Sequence, residues 1–331
     1  MSLHDTPVVA SHSGGALTPP LLSEVEAARE RIADFAIRTP LVRLNCDASR
    51  PIYLKLEMLQ PIGSFKIRCA ANALLARSEE IRFMGVTTAS AGNFAQGLGY
   101  VASRLGVRVK SLVPDSAAQS KLQALERLGV SVERIPYRQW WSILENPAAH
   151  GYGAGFIHPC ADPAVLAGNA TIALEILEEV DPAEVLVPYG GGGLLTGIAS
   201  TLKSQLPGAK VFGVESTAGT PLAAALAAGK PVAIAFDNST FITGMGSPQV
   251  LAPIWPLVRS WVDGAVCVEL SAVSSAIRLL IERHHLIAEG AGAVPVAAAL
   301  SRTEHGGPIV CVLSGGHLDT THLVQILEGK M

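Results

Sequence analysis

Continuously apolar runs that alternate with helical patterns constrain this chain more than any other feature. Val185 to Pro188 and Ile309 to Leu313 carry no polar residue, as expected of strands buried on both faces in a parallel sheet covered by helices. The alternation begins with IYLKLE at 52–57, a helix opened by Ser64, MGVTTA at 84–89, a helix from Gly92 to Leu105 and VRVKSLVP at 107–114. It continues through SKLQALERLG, SVERIP, PAVLAGNATIALEILEEV, EVLVPYG, GLLTGIASTLKSQL, KVFGVES, AVCVEL, SAVSSAIRLLIERHHL and PIVCVLSGG. These read in turn as helix, strand, helix, strand, helix, strand, strand, helix and strand. An earlier helix is predicted from Ser23 to Ala36. There Ser23-Glu24-Val25-Glu26 has the form of a capping box, and Val25, Ala28, Ile32 and Phe35 follow at helical spacing. The pattern is doubly wound α/β, with mostly parallel sheets, so ligands are expected beyond the carboxyl ends of strands. A domain break is expected between Asn146-Pro147 and Gly155, a stretch rich in Gly, Ala and Pro.

Hydrophobic residues make up 49% of the 331 and charged residues 16%, enough for a large core and too apolar for disorder. The formal charge is −3 and no run of Lys or Arg occurs, which excludes nucleic acid and anionic membrane surfaces as natural partners. Cys46, Cys69, Cys160, Cys267 and Cys311 form no C-x-x-C pair, and their odd number fits reduced thiols in a cytoplasmic protein. The start, MSLHDTPVVASHSGGALTPP, lacks a signal-peptide pattern and reads as a loose arm; no apolar stretch is long enough for a membrane span.

Four strand-to-helix junctions carry the chemistry. In VLVPYGGGGLLTGIAS, residues 185–200, the glycines 190–193 free backbone N–H groups at a helix N-terminus, a setting for a phosphate without Lys or Arg. A plain turn would need only one or two glycines. The segment is neither a Walker loop nor G-x-G-x-x-G. In KLEMLQPIGSFKIRCAANAL, residues 55–74, Lys66 sits in the first turn of a helix beside Ile62, Phe65, Ile67 and Ala70. Desolvation and the helix's positive end would there favour a nucleophilic amine, although spacing alone reads Lys66 as a solvated surface charge. In TTASAGNFAQGLGYVASRLG, residues 87–106, Ser90 and the backbone of Ala91 to Asn93 cap a helix or cradle a carboxylate. In IVCVLSGGHLD, residues 309–319, Ser314 follows an apolar strand, and Gly315-Gly316 admits a close ligand or a simple turn.

Together these segments resemble the fold type II, tryptophan synthase β-like enzymes dependent on pyridoxal 5′-phosphate (PLP), within the serine/threonine dehydratase and serine racemase group. The resemblance also rests on RTPL at 38–41, HPCADPAVLAGNATIALEI at 158–176, GVES at 213–216 and EGAGA at 289–293. It implies a two-domain enzyme. Residues 1–83 and 152–331 would form the large PLP-binding domain, and residues 84–151 a small mobile domain that closes over substrate. Lys66 would be the Schiff-base lysine with Phe65 beside the cofactor ring. Asn93 would meet the ring hydroxyl, Gly190, Gly191, Gly192, Gly193 and Leu194 the phosphate, and Ser314 the pyridine nitrogen. Ser90, Ala91, Gly92, Asn93 and Phe94 would take the substrate α-carboxylate. The implied reaction is α,β-elimination from a β-hydroxy amino acid, in which Lys66 removes the Cα proton and a 2-oxo acid and ammonia result. Homodimers or homotetramers are common in the group.

Several positions depart from that pattern. Ala91 replaces the Ser that racemases use as a second acid/base, so racemisation is expected to be minor. Phe94 stands where His is usual and puts an apolar wall near the substrate, which would admit a bulkier 3-hydroxy amino acid. His317 replaces an Asn, and Ile242-Thr243-Gly244 replaces A-D-G. Glu215 of a divalent-cation motif is present, but Pro221 holds the position of its Asp, so no metal is expected there. The chain stops soon after SGGHLD, and no regulatory domain is expected. His284-His285, His158 and Cys160 lack partners at metal-ligand spacing. Serine racemase-like chemistry, β-replacement and a catalytically silent PLP-binding protein are the competing readings. The GSFKIR and SAGNF segments argue against β-replacement, and retention of Lys66, Ser90, Asn93 and Ser314 against silence.

Overall fold

A computed structural model describes residues 17–237, 239–302 and 306–331, without the side chain of Ser120. The arm expected over residues 1–20 lies, as far as residue 16, outside the described residues. In chain order the elements are α1 (Leu22–Arg31), β1 (Leu41–Arg43), β2 (Ile52–Lys55), α2 (Lys66–Leu75), α3 (Glu79–Met84), β3 (Val86–Ala89), α4 (Asn93–Leu105), β4 (Val109–Pro114), α5 (Gln119–Arg127), β5 (Ser131–Ile135) and α6 (Tyr137–Glu145). They continue as α7 (Pro163–Leu177), β6 (Glu184–Pro188), α8 (Gly193–Gln205), β7 (Lys210–Ser216), α9 (Pro221–Ala228), α10 (Trp255–Trp261), β8 (Gly264–Val268), α11 (Leu270–His284), α12 (Gly290–Leu300), β9 (Ile309–Val312) and α13 (Thr320–Leu327).

Two parallel sheets result. The larger has the order β1-β2-β9-β6-β7-β8, parallel except for β1, and the smaller the order β3-β4-β5. Cys311 pairs with Leu54 on one side and Leu186 on the other, so the strands that precede Ser314, Glu57 and the glycine run share the sheet's centre. The fully apolar β6 and β9 are the buried middle strands, as expected from their composition.

Helices bridge the two sheets. α2 packs between α7 and α4, and α7 packs on α8. Close approach requires glycine: a side chain at Gly168 of α7 would meet the Arg68 carbonyl at 2.7 Å, and one at Gly197 of α8 would meet the Leu166 carbonyl at 2.7 Å. From Ala164 to Ile176 every residue of α7 is buried, so the helix has no polar stripe.

Local details differ from expectation. α1 starts at Leu22 and ends at Arg31; Ser23 lies inside its first turn, and the Glu24 carboxylate accepts from the Leu21 N–H at 2.8 Å. Behind Pro19-Pro20 the cap falls at Leu21, two residues earlier than a Ser23 cap would. α2 begins at Lys66 with no side-chain cap, because Ser64 bridges to Gly315 and its buried hydroxyl has no partner among the described residues. The strand expected at 84–89 is shortened by α3, which takes Met84. No helix among the described residues is long and apolar enough to cross a membrane.

Candidate active site

The residues singled out from sequence converge at the carboxyl ends of β9, β6 and β3. After β9, the Ser314 carbonyl accepts from the Phe65 N–H at 2.9 Å, which locks the SGG turn onto the residue before Lys66. Lys66 opens α2 and is partly buried. Its Nζ lies 4.9 Å from the Phe65 ring centroid, 5.4 Å from that of Phe94, and 3.2 Å from the Pro159 carbonyl to which it donates. Phe94 comes from the first turn of α4 and is 2% exposed, so its ring walls the lysine rather than facing water. In the same junction the Ser90 hydroxyl accepts from the Gly92 N–H at 3.3 Å, and the Ser111 hydroxyl pins the Ser90 carbonyl at 2.6 Å. Ala91 and Gly92 complete the turn, with open space where a Gly92 side chain would stand.

The glycine loop is held by its surroundings, among them Cys160, the neighbour of the Pro159 that Lys66 meets. A Gly190 side chain would strike the Gly244 carbonyl at 2.8 Å, a Gly191 side chain the Cys160 sulfur, and a Gly193 side chain the Cys160 carbonyl at 2.7 Å. Gly192 adopts φ of 85°, the left-handed region that favours glycine. The N–H groups of Gly190 to Leu195 meet no acceptor among the described residues, whereas the neighbouring Tyr189 and Thr196 N–H groups do, at 2.9 Å each. Unpaired amides at the head of a 13-residue helix, linked through the 159–160 turn to a lysine, fit a phosphorylated aldehyde such as PLP.

Comparison with known proteins decides the family. The profile of the pyridoxal-phosphate dependent enzymes matches residues 32–315. The chain belongs to this family. It is 38% identical over 312 residues to an L-threonine ammonia-lyase of Geobacter sulfurreducens, covering 92% of this chain and 77% of that one. Among solved structures, threonine deaminase isoform 2 from Solanum lycopersicum superposes with a TM-score of 0.81 at 30% identity, covering 98% of this chain and 93% of that chain. Maize serine racemase gives a TM-score of 0.81 at 28% identity, covering 95% and 98%.

Within this PLP enzyme the structure adds Glu289 to the site, a residue the EGAGA motif contained without marking it. Its Oε1 accepts from Asn93 Nδ2 at 3.2 Å and stands where a Gly315 side chain would be. Burial pushes its carboxyl up to about 8, against the opposing charge of Lys121 and the hydrogen bonds from Asn93 and the His317 backbone. A carboxyl that holds its proton to about 8 when folded, but releases it near 4.5 when unfolded, stabilises the fold fully below about 4.5, and that contribution is lost as pH rises through about 8. Thermal unfolding of the cofactor-free protein at a series of pH values is expected to show this fall. Glu289→Gln, which keeps an acceptor for Asn93, flattens it; an unchanged slope would refute the assignment.

The divalent-cation motif takes another form here. The Glu215 carboxylate accepts from the Leu222 and Ala223 N–H groups at 2.7 and 2.9 Å, capping α9 behind Pro221. Among the described residues no group of three or more His, Cys, Asp or Glu side chains could hold a metal. His284 Nε2 accepts from the Asn45 N–H at 2.9 Å, and His285 closes α11 with φ of 57°. His317 rests its ring on Gly63, 3.1 Å from where a side chain there would stand.

Proposed function

We propose that the protein is a PLP-dependent ammonia-lyase that converts a β-hydroxy amino acid of the threonine or serine type, bulkier ones included, to a 2-oxo acid and ammonia. The observation that carries this reading is Lys66 Nζ within 4.9 and 5.4 Å of two aromatic ring centroids and bonded to Pro159, whose neighbour Cys160 packs on the glycine loop with its unpaired amides. The similarity to the Geobacter L-threonine ammonia-lyase supports it over 92% of the chain. Bound PLP supplies an electron sink next to the amino-acid Cα, which acidifies the Cα proton. The protein's share is binding and proton handling. Gly190 to Leu194 would hold the phosphate, Phe65 would pack beside the ring, and Ser314 would offer a neutral hydroxyl to the pyridine nitrogen. Asn93 has one amide N–H turned to Glu289 and a second left for the ring hydroxyl. The Ser90 to Phe94 loop receives the substrate carboxylate, and Lys66 Nζ takes the Cα proton. Residues 84–151 act as the mobile small domain, whose closure excludes water.

The test is direct. Purified protein reconstituted with PLP and given threonine, serine and 3-phenylserine should release 2-oxo acid and ammonia in equal amounts, with slight D-serine formation. Absence of both products with every β-hydroxy amino acid rejects the proposal, and rapid D-serine formation replaces it with the racemase reading. Phe94 gives a further expectation. An apolar wall beside Lys66 favours a bulky apolar β-substituent, and Phe94→His should lower kcat/KM for 3-phenylserine relative to threonine by about tenfold. Equal specificity ratios in the two proteins would disprove a role for Phe94 in substrate choice.

A further inference from the structure

His158 sits at a junction that the lyase reading leaves without a purpose. It is 6% exposed and lies on the segment that leaves the three-stranded sheet, where Phe156 bridges to Thr87 beside β3, and enters α7. Its Nδ1 faces two backbone donors, the N–H of Cys160 at 3.0 Å and that of Ala161 at 2.7 Å. Backbone N–H groups only donate, so Nδ1 is the unprotonated nitrogen. The proton therefore resides on Nε2, which donates to the Leu144 carbonyl at 2.9 Å near the end of α6. The turn gathered by Nδ1 is the one that meets the site. The Pro159 carbonyl accepts from Lys66 Nζ, and Cys160 presses against the backbone of Gly191 and Gly193.

We propose that His158 is a positioning residue for the cofactor site, holding the 159–161 turn against both Lys66 and the glycine loop while tying that turn to α6. The inference rests on the reading of Lys66 and the loop as the PLP site. One face of the imidazole organises the turn, and the other fastens it to the three-stranded unit. The two faces are separable by mutation. The Asn side chain places an oxygen near the Nδ1 position and can accept from the Cys160 and Ala161 amides; the Gln side chain places an N–H near Nε2 and can donate to Leu144, but offers the turn no acceptor.

The experiment titrates PLP into full-length cofactor-free wild type, His158→Asn and His158→Gln, following protein-bound absorbance, with circular dichroism and thermal unfolding recorded for each. His158→Asn should bind PLP within about threefold of wild type, and His158→Gln about tenfold more weakly or worse, since the buried Ala161 amide and the partly buried Cys160 amide then lack an acceptor. kcat/KM should follow the same order. Equal affinity of His158→Gln and wild type overturns the proposal. So does equal loss in both folded variants, which would mark His158 as mere packing. If His158→Gln does not fold, His158→Asn still decides, because a folded His158→Asn with weakened PLP binding contradicts the assigned role of Nδ1. Failure of the wild type itself to bind PLP would reject the cofactor reading instead.

Discussion

Lys66→Ala is expected to abolish the yellow absorbance of PLP-loaded protein and to lower the elimination rate by about four orders of magnitude or more, while leaving the fold intact. On the proposed function the rate loss follows from removing both the covalent attachment point and the base at Cα, since a positioned base alone contributes about 10²- to 10⁴-fold. The neutrality of the fold follows from where Lys66 sits. Its ammonium occupies the first residue of α2, where the helix dipole is positive, and such a charge costs about 0.3–1 kcal/mol. Among the described residues its one hydrogen-bond acceptor is the Pro159 carbonyl, and the partly buried side chain otherwise lies near the Phe65 and Phe94 rings. Thermal unfolding of the cofactor-free variant should match or exceed that of wild type. A variant that stays yellow, or that turns over threonine at wild-type rate, removes Lys66 from the chemistry.

The same placement explains why the junctions that form the candidate site are legible in the sequence. Lys66, Asn93, the glycines and Ser314 each follow a strand at a helix start or a tight turn, and those junctions are written locally in glycine, serine and apolar runs. Other parts leave no such local trace. α12, GAGAVPVAAAL, is buried from Gly290 to Ala299 and contains Pro295, so it shows neither an amphipathic period nor the absence of helix breakers. Glu289 signals itself only as a lone acid in an apolar run, and its meaning depends on Asn93, far away in sequence and adjacent in space. Ser23 and Ser64 look like helix caps in isolation. Tertiary contacts decide otherwise: Ser64 pairs with Gly315, and α1 is capped two residues sooner behind its prolines. His158 and Cys160 could be judged from sequence only as poor metal ligands, because the partners described for them include backbone groups of Leu144, Cys160, Ala161 and the glycine loop, which no spacing marks.

The largest stability effect is expected beneath the site, where Lys55, Glu57, Arg68 and Glu175 form a buried ionic cluster. Arg68 Nε and Nη2 donate to Glu57 at 2.8 and 2.9 Å, and its Nη1 and Nη2 donate to Glu175 at 2.6 and 2.8 Å. Lys55 Nζ donates to Glu175 at 2.5 Å and to the Thr39 carbonyl at 2.6 Å. Burial opposes charge on Glu57, but the Arg68 guanidinium and the hydrogen bonds from Arg68 and Thr39 outweigh it and hold the carboxyl below the usual range. Two cations thus face two carboxylates with almost no water. Glu175→Ala leaves Lys55 and Arg68 short of a counter-charge and should cost about 3–5 kcal/mol, a large share of the roughly 5–15 kcal/mol that holds a typical domain together. Lys55→Met in the Glu175→Gln background removes one charge of each sign and should recover much of the loss that Glu175→Gln shows alone, because the residues are in contact and their effects are not additive. Denaturant unfolding of the single and double variants measures both. If Glu175→Ala costs less than about 1 kcal/mol, the cluster is not the anchor of α2. If it costs the expected amount, activity should fall with it, because Arg68 stands two residues from Lys66 on that helix and joins it to Glu57 after β2 and Glu175 on α7.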